Sequence, residues 1–293
     1  DAQMAAAGVT TVYDAIAVGE YMDRSYRRAL LATVMGAIKD AAAGGLFKVD
    51  HRVHLRCEIA DDIVAELFEP YADDPLVGLI SVMDHTPGQR QWRDLKSFKT
   101  FKNANMSDDE FQAYIDQRIA NSSDQKEKNR RAILDRWGRR GPAASHDDTT
   151  PEHVDEAVAD NIMISEFPTT LVAAEAARAA GMRTVMGAPN VVRGGSHSGN
   201  VSAIDLAEAG LLDALSSDYA PISLVHAAFA LHECVGLSLP DAIGTISANP
   251  ADMLGLNDRG SIAPGLRGDL VRVARIGDAA IVRGTWALGE RVA

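Results

Sequence analysis

The residues best suited to chemistry are Glu58, His85, His146, Glu166 and Asp218, and each stands at or just past the end of a short β-type run. The run 53–58 ends in Glu58, 76–83 leads into Asp84-His85, 143–145 into His146-Asp147-Asp148, 162–165 into Glu166, and 212–217 into Asp218. Imidazoles and carboxylates together are the donor set of Zn²⁺, Mn²⁺ and related hydrolytic ions. One or two divalent ions held there would lower the pKa of bound water and make a nucleophile near neutral pH. No pair shows a diagnostic spacing such as H-E-x-x-H, so the signal is recurrence at strand ends. Singly, each residue could cap a helix or satisfy a hydrogen bond, and Asp147 and Asp148 are placed to cap the helix that follows.

A second set suits an anionic substrate. The segment Arg193-Gly194-Gly195-Ser196-His197-Ser198-Gly199-Asn200 follows Asn190 and precedes a helix. Free N–H groups, hydroxyls and a helix start suit phosphate, the alternative being a flexible surface loop. The run 53–58 alternates strictly, with Val53, Leu55 and Cys57 on one face and His54, Arg56 and Glu58 on the other. A solvent-facing edge strand gives the same pattern. In a repeating α/β chain, however, strands are covered on both faces, so three ionisable groups must pair or bind something. His54, Arg56, Asn190, Arg193, Gly194, Gly195, Ser196 and His197 are therefore the candidate substrate-binding residues. His153, His226 and His232 fall on helices as surface or packing residues, and His51 receives no role.

The elements that must position these groups repeat one unit: a β-run, a polar end, a turn, then an alanine-rich helix. Strands ending near 14, 58, 85, 146, 166, 188 and 218 make seven βα units, which predict a parallel sheet, closed as a barrel or open and doubly wound. A (β/α)8 barrel needs an eighth, and the missing stave would precede Asp1, where the chain starts mid-unit. Residues 1–256 are read as the barrel. Within them, 86–142 forms a helical excursion over the site, serving as a lid, an oligomer contact or a solvated hairpin. Residues 257–293, short β-runs punctuated by glycines, form a small separate sheet.

A chain of 293 residues with 46% hydrophobic and 24% charged side chains can bury a large core. Its net charge of −12 argues against nucleic acid and membrane surfaces as partners. Local arginines and backbone N–H groups can still gather a small anion. No run approaches the ~18 apolar residues of a membrane span. Cys57 and Cys234, far apart, fit buried thiols in a reducing compartment, so the protein is expected in the cytoplasm. A homo-oligomer is compatible with all of this.

The runs HRVHLRCE (51–58), SVMDHTPGQRQ (81–91), ASHDD (144–148), EFPTT (166–170), MGAPNVVRGGSHSGN (186–200) and LSSDY (215–219) closely resemble one family. It is the α-D-ribose 1-methylphosphonate 5-triphosphate diphosphatase family of phosphonate catabolism, within the amidohydrolase superfamily. GVTTVYDAIAVG (8–19) and DRGSIAPGLRGDLV (258–271) extend the likeness over nearly the whole chain. The resemblance implies an amidohydrolase-type (β/α)8 TIM-like barrel with a small β-sandwich built from both chain ends. It implies divalent metal, and hydrolysis of a phosphorylated ribose phosphonate, 5-triphosphate to 5-phosphate, with release of pyrophosphate in the carbon–phosphorus lyase pathway. By strand order, Glu58 corresponds to the carboxylate ligand of the third strand and His146 to the histidine of the fifth. Asp218 corresponds to the aspartate of the eighth, which binds metal and handles the proton of the attacking water. His85 and Glu166 end the fourth and sixth strands. The family's first strand, with its histidine–x–aspartate motif, and the first half of its sandwich have no counterpart here, so the barrel is expected to be one stave short. Amide hydrolysis or deamination on the same scaffold, and a non-catalytic fragment, are the rival readings.

Overall fold

Seven parallel strands follow one another in chain order and curl into a half-barrel: β1 (Thr11–Val18), β2 (Asp50–Glu58), β3 (Val77–Met83), β4 (Ala143–His146), β5 (Ile164–Glu166), β6 (Arg183–Gly187) and β7 (Ala214–Ser216). The computed structural model describes residues 1–20, 26–92, 95, 98–99, 107–196 and 199–293. Among these, the hydrogen-bonded order starts at β1 and stops at β7. A cavity of about 810 Å³ is lined by both of these strands. A three-stranded antiparallel sheet of β8 (Leu270–Ile276), β9 (Ala279–Ala287) and β10 (Glu290–Arg291) forms from the glycine-punctuated runs at the C-terminus.

β1 is longer than the sequence suggests. Its pairing with β2 runs from Thr11 opposite Asp50 to Val18 opposite Cys57, so Asp14 lies mid-strand. The Asp14 carboxylate does not end the strand; it accepts from His51 Nδ1 at 2.7 Å. In β2 the expected alternation is realised. Val53, Leu55 and Cys57 are fully buried in the main core with Met35, Phe68 and Ile80. His54 and Arg56 line interior cavities, and Glu58 reaches across to His85.

The excursion between His85 and His146 contains a 30-residue helix, Asp108–Trp137. Ser107 and Glu110 form a reciprocal capping box, and Asp108, Asp109 and Glu110 place negative charge at its positive end. Its few large apolar residues include Ile133 and Trp137, which join the main core. Polar contacts do the rest. Lys126 Nζ meets Asp84 Oδ2 at 2.9 Å, and Arg130 Nε meets Asp160 at 2.5 Å. Asn129 Nδ2 donates to the carbonyls of Ile59 and Asp61 at 2.9 and 2.7 Å. At the opposite end of the barrel, Arg259 Nη1 donates to Thr11 Oγ1 at 2.8 Å and to Asp50 Oδ2 at 2.5 Å, pinning the C-terminal segment to β1 and β2.

Asn129→Ala removes a buried amide that serves two carbonyls. The Ile59 carbonyl then loses its side-chain donor and that of Asp61 keeps only the 3.4 Å contact from the Val64 N–H, a cost of about 1–3 kcal/mol, so the urea midpoint should fall accordingly. A change below about 0.5 kcal/mol would show that this helix is not braced through Asn129.

Candidate active site

His85 follows β3 and His146 ends β4, with their ring centroids 5.5 Å apart. Asp147 completes the cluster: its Oδ2 lies 3.7 Å from His85 Nε2 and 3.5 Å from His146 Nε2. All three residues are buried, and their ligand atoms lie within 4.8 Å of one another. Asp147 Oδ2 makes no hydrogen bond among the described residues. A buried carboxylate oxygen without a donor, facing two imidazole nitrogens, fits a divalent cation.

The far side of each histidine is fixed. His85 Nδ1 meets Glu58 Oε2 at 2.6 Å, and the His85 backbone N–H donates to Glu58 Oε1 at 3.1 Å. His146 Nδ1 meets Glu166 Oε2 at 2.9 Å. A carboxylate on Nδ1 holds that proton and presents Nε2 to the cluster, where a cation would compete with Arg56 for the His146 lone pair. Glu58 and Glu166 thus stand behind the histidines rather than inside the cluster. Burial works against charge on His85, but Glu58, with Asp147 beyond it, raises its pKa. Burial likewise opposes ionising Glu166, yet His54, His146 and Arg56 together hold its carboxyl well below the usual range.

The cluster opens onto a cavity of about 550 Å³ that is also lined by Arg56, Asp218, Asn190, Gly195 and Ser196. Arg56 Nη2 lies 3.1 Å from His146 Nε2, so a permanent positive charge stands at the cluster's mouth. Asp218 approaches from the turn after β7, where Gly187 leaves room: a Cβ there would lie 3.4 Å from Asp218 Oδ2. Asp147, Phe167, Asp218 and Arg90 all adopt positive φ, between 47° and 57°. These are four of the six such non-glycine residues described, and they gather at one rim, as strained backbone does at functional sites.

Other predicted residues stand further off. His54 lines the larger cavity and bonds Ser81 Oγ at 3.0 Å. Arg193 is exposed and donates from Nη1 to the Tyr219 hydroxyl at 3.3 Å, at the rim. Gly194, at φ 75°, closes the short helix Ala188–Arg193. His197 lies outside the described residues. The capping roles expected for Asp147 and Asp148 are not observed. Thr150 is the N-cap of the next helix, and Asp148 instead accepts from Ser145, Ser165 and Arg90. The sequence reading missed Asp147 as a cluster member, and also Arg27 and Gln91, which line the cavity. The acidic doublet directly after a strand-end histidine was the available signal for Asp147.

The chain belongs to the amidohydrolase family, which it matches over residues 2–292. It is 42% identical over 297 residues to the α-D-ribose 1-methylphosphonate 5-triphosphate diphosphatase of Escherichia coli K12, covering 100% of this chain and 79% of that protein. A shorter match, 46% over 57 residues, links 20% of the chain to 10% of an adenine deaminase of Ligilactobacillus salivarius. Among solved structures, dihydropyrimidinase from Brevibacillus agri aligns with 99% of this chain and 78% of its own at a TM-score of 0.61 and 13% identity. N-acetylglucosamine-6-phosphate deacetylase from Pasteurella multocida aligns with 99% of this chain and 77% of its own at 0.57 and 11%. These two share the fold.

Asp147→Asn should weaken divalent-metal binding by about tenfold or more, read by competition with a chromogenic chelator; wild-type affinity would remove Asp147 from the ligand set. Burial pushes the His54 pKa down from 6.5 to about 4. Between those values the unfolded chain takes up a proton that the folded chain refuses. The His54 contribution is therefore intact above the unfolded pKa and is lost as pH falls toward the folded one. Urea midpoints at about pH 7.5 and about pH 5 should differ less in His54→Leu than in the wild type. An unchanged difference would contradict a neutral, buried imidazole.

Proposed function

We propose that the protein is a divalent-metal diphosphatase that hydrolyses a ribose 5-triphosphate bearing a 1-phosphonate, leaving the 5-phosphate and releasing pyrophosphate. One observation carries the reading: the His85–His146–Asp147 cluster shares a single cavity with Arg56 and Asp218. The 42% identity to a diphosphatase over the whole chain supports the substrate class.

His85, His146 and Asp147 would hold one or two ions, Zn²⁺ or Mn²⁺, which supply Lewis-acid activation of water and of a phosphoryl oxygen. Glu58 and Glu166 keep the two imidazoles aimed by retaining their Nδ1 protons. Asp218 accepts the proton of the attacking water. The water oxygen bonds to the phosphorus nearest the ribose as that phosphorus loses its bridge to pyrophosphate, which leaves with the bond pair. Arg56 and Arg27 line the same cavity and would balance charge spreading over the phosphoryl oxygens. Asn190, Gly195 and Ser196 offer polar groups for the remainder of the chain of phosphates, with Arg193 at the rim.

Pyrophosphate release from ribose 1-methylphosphonate 5-triphosphate tests this directly, with metal quantified in the same sample. Asp218→Asn should lower kcat by about 10²–10⁴-fold, and Arg56→Ala should raise KM by about 10–100-fold. Metal-loaded protein that releases no pyrophosphate but turns over an amide or amidine would move the reaction to the amide-hydrolysing or deaminating class. Loaded protein that turns over neither would leave no enzyme to explain.

A further inference from the structure

Arg90 lies five residues past His85, and no step of the proposed hydrolysis uses it. Its side chain is only 7% exposed, and its backbone stands at φ 47°. A guanidinium leaves water only where partners are built for it. Here Nη1 donates to the His146 carbonyl at 2.9 Å and to Asp148 Oδ1 at 2.7 Å, while Nη2 donates to Glu156 Oε2 at 3.2 Å. Asp148 is fully buried, and its second oxygen takes the hydroxyls of Ser145 and Ser165, the latter at 2.8 Å. The Asp148 carbonyl accepts from the Thr169 N–H at 2.8 Å.

The tripeptide 146–148 is thus held at both ends, and between them Asp147 turns through φ 56° with its N–H on the Glu166 carbonyl at 2.9 Å. A left-handed turn fixed on either side holds the middle side chain in one direction, here into the space between the two imidazoles. We infer that Arg90 is a positioning residue of the cation centre: by clamping the His146 carbonyl and the Asp148 carboxylate it sets the turn that aims Asp147 at His85 and His146. Arg90 rides the same loop as His85, so one side chain couples the β3 and β4 contributions. The inference rests on the cation-binding reading of the cluster. The outer half of the same network supplies a control, because Glu156 also pairs with Arg130 Nη1 at 2.9 Å on the side away from the turn.

Co²⁺ titration of the metal-depleted full chain, followed by visible absorption and by competition with a chelator, reads the coupling. Arg90→Gln should bind Co²⁺ about 10–100-fold more weakly than the wild type, with an altered visible band. Arg90→Lys should recover part of the affinity, because it restores the charge without the fork that serves carbonyl and carboxylate together. Glu156→Gln should bind Co²⁺ as the wild type does while its unfolding midpoint drops. The double variant Arg90→Gln with Asp147→Asn should bind no more weakly than Asp147→Asn alone, since Arg90 acts through Asp147. Wild-type affinity and band in Arg90→Gln would overturn the inference, as would an equal loss in Glu156→Gln or full additivity in the double variant. If Arg90→Gln does not fold, Arg90→Lys decides: a weakened, shifted Co²⁺ signal supports the coupling and a wild-type one refutes it. A wild-type chain that takes up no Co²⁺ would instead overturn the cation centre itself, before any variant is compared.

Discussion

Parallel pairing is the constraint on which the site depends. In a parallel ladder every carboxyl end lies at the same rim, and the register decides which ends meet. His146 lies directly opposite Glu166, and Glu58 lies opposite Met83, two residues before His85. Neighbouring strands run about 4.8 Å apart, so each histidine finds its carboxylate across a single ladder step. Neither contact needs a long loop to arrange it. β4, β5 and β7 are only three or four residues long, so backbone pairing ends just where the functional groups begin. Beyond that point side chains must hold the turns, which accounts for the density of buried polar contacts at this rim.

Those contacts determine where charge is left over. Glu58, Asp148 and Arg90 are each buried at 6% exposure or less, and each is paired. An isolated ion in such a place costs several kcal/mol. Asp147 Oδ2 differs from these three: it is buried with no hydrogen-bond partner among the described residues, as is Arg56 Nε nearby. That negative charge sits between two imidazole nitrogens, a place suited to a cation. Arg56 supplies positive charge on the cavity side of the same histidine. The net charge of −12 therefore does not decide what this cavity receives, because a ligand meets the local arrangement and not the sum over the surface.

Much of this was legible in the sequence for a physical reason. Period-two alternation in 53–58 separates core-facing from cavity-facing residues, and a polar group closing an apolar run marks a strand end; both signals are local. The role of Asp147 was not local. In HDDTTP the acids read as caps, yet Thr150 fills the N-cap, and a left-handed φ held from Arg90, 57 residues away in sequence, turns Asp147 inward. The placing of Glu58 and Glu166 behind the histidines depends on strand register, which composition does not encode. The end of β1 was misplaced at Asp14 for a related reason: an acid mid-strand looks like an ending unless His51 on the next strand is known to pair with it.

The segment between the two histidines also acquires a physical sense. Ile133 and Trp137 anchor its helix in the main core, and its polar residues reach the loops around the site. Close to its start Arg90 grips the His146 carbonyl, and further on Lys126 grips Asp84, the residue before His85. Asn129 and Arg130 then fasten the helix to the turn after β2 and to the end of the helix Pro151–Ala159. Ionic and amide contacts of this kind are directional, so they fix loop position more tightly than apolar packing of the same area would. The long excursion bears on the site from outside the sheet, holding the two histidine-bearing turns while the ladder beneath holds their carboxylates. Geometry at the cluster is over-determined from both directions, which is what lets a non-glycine residue stay in a left-handed turn there.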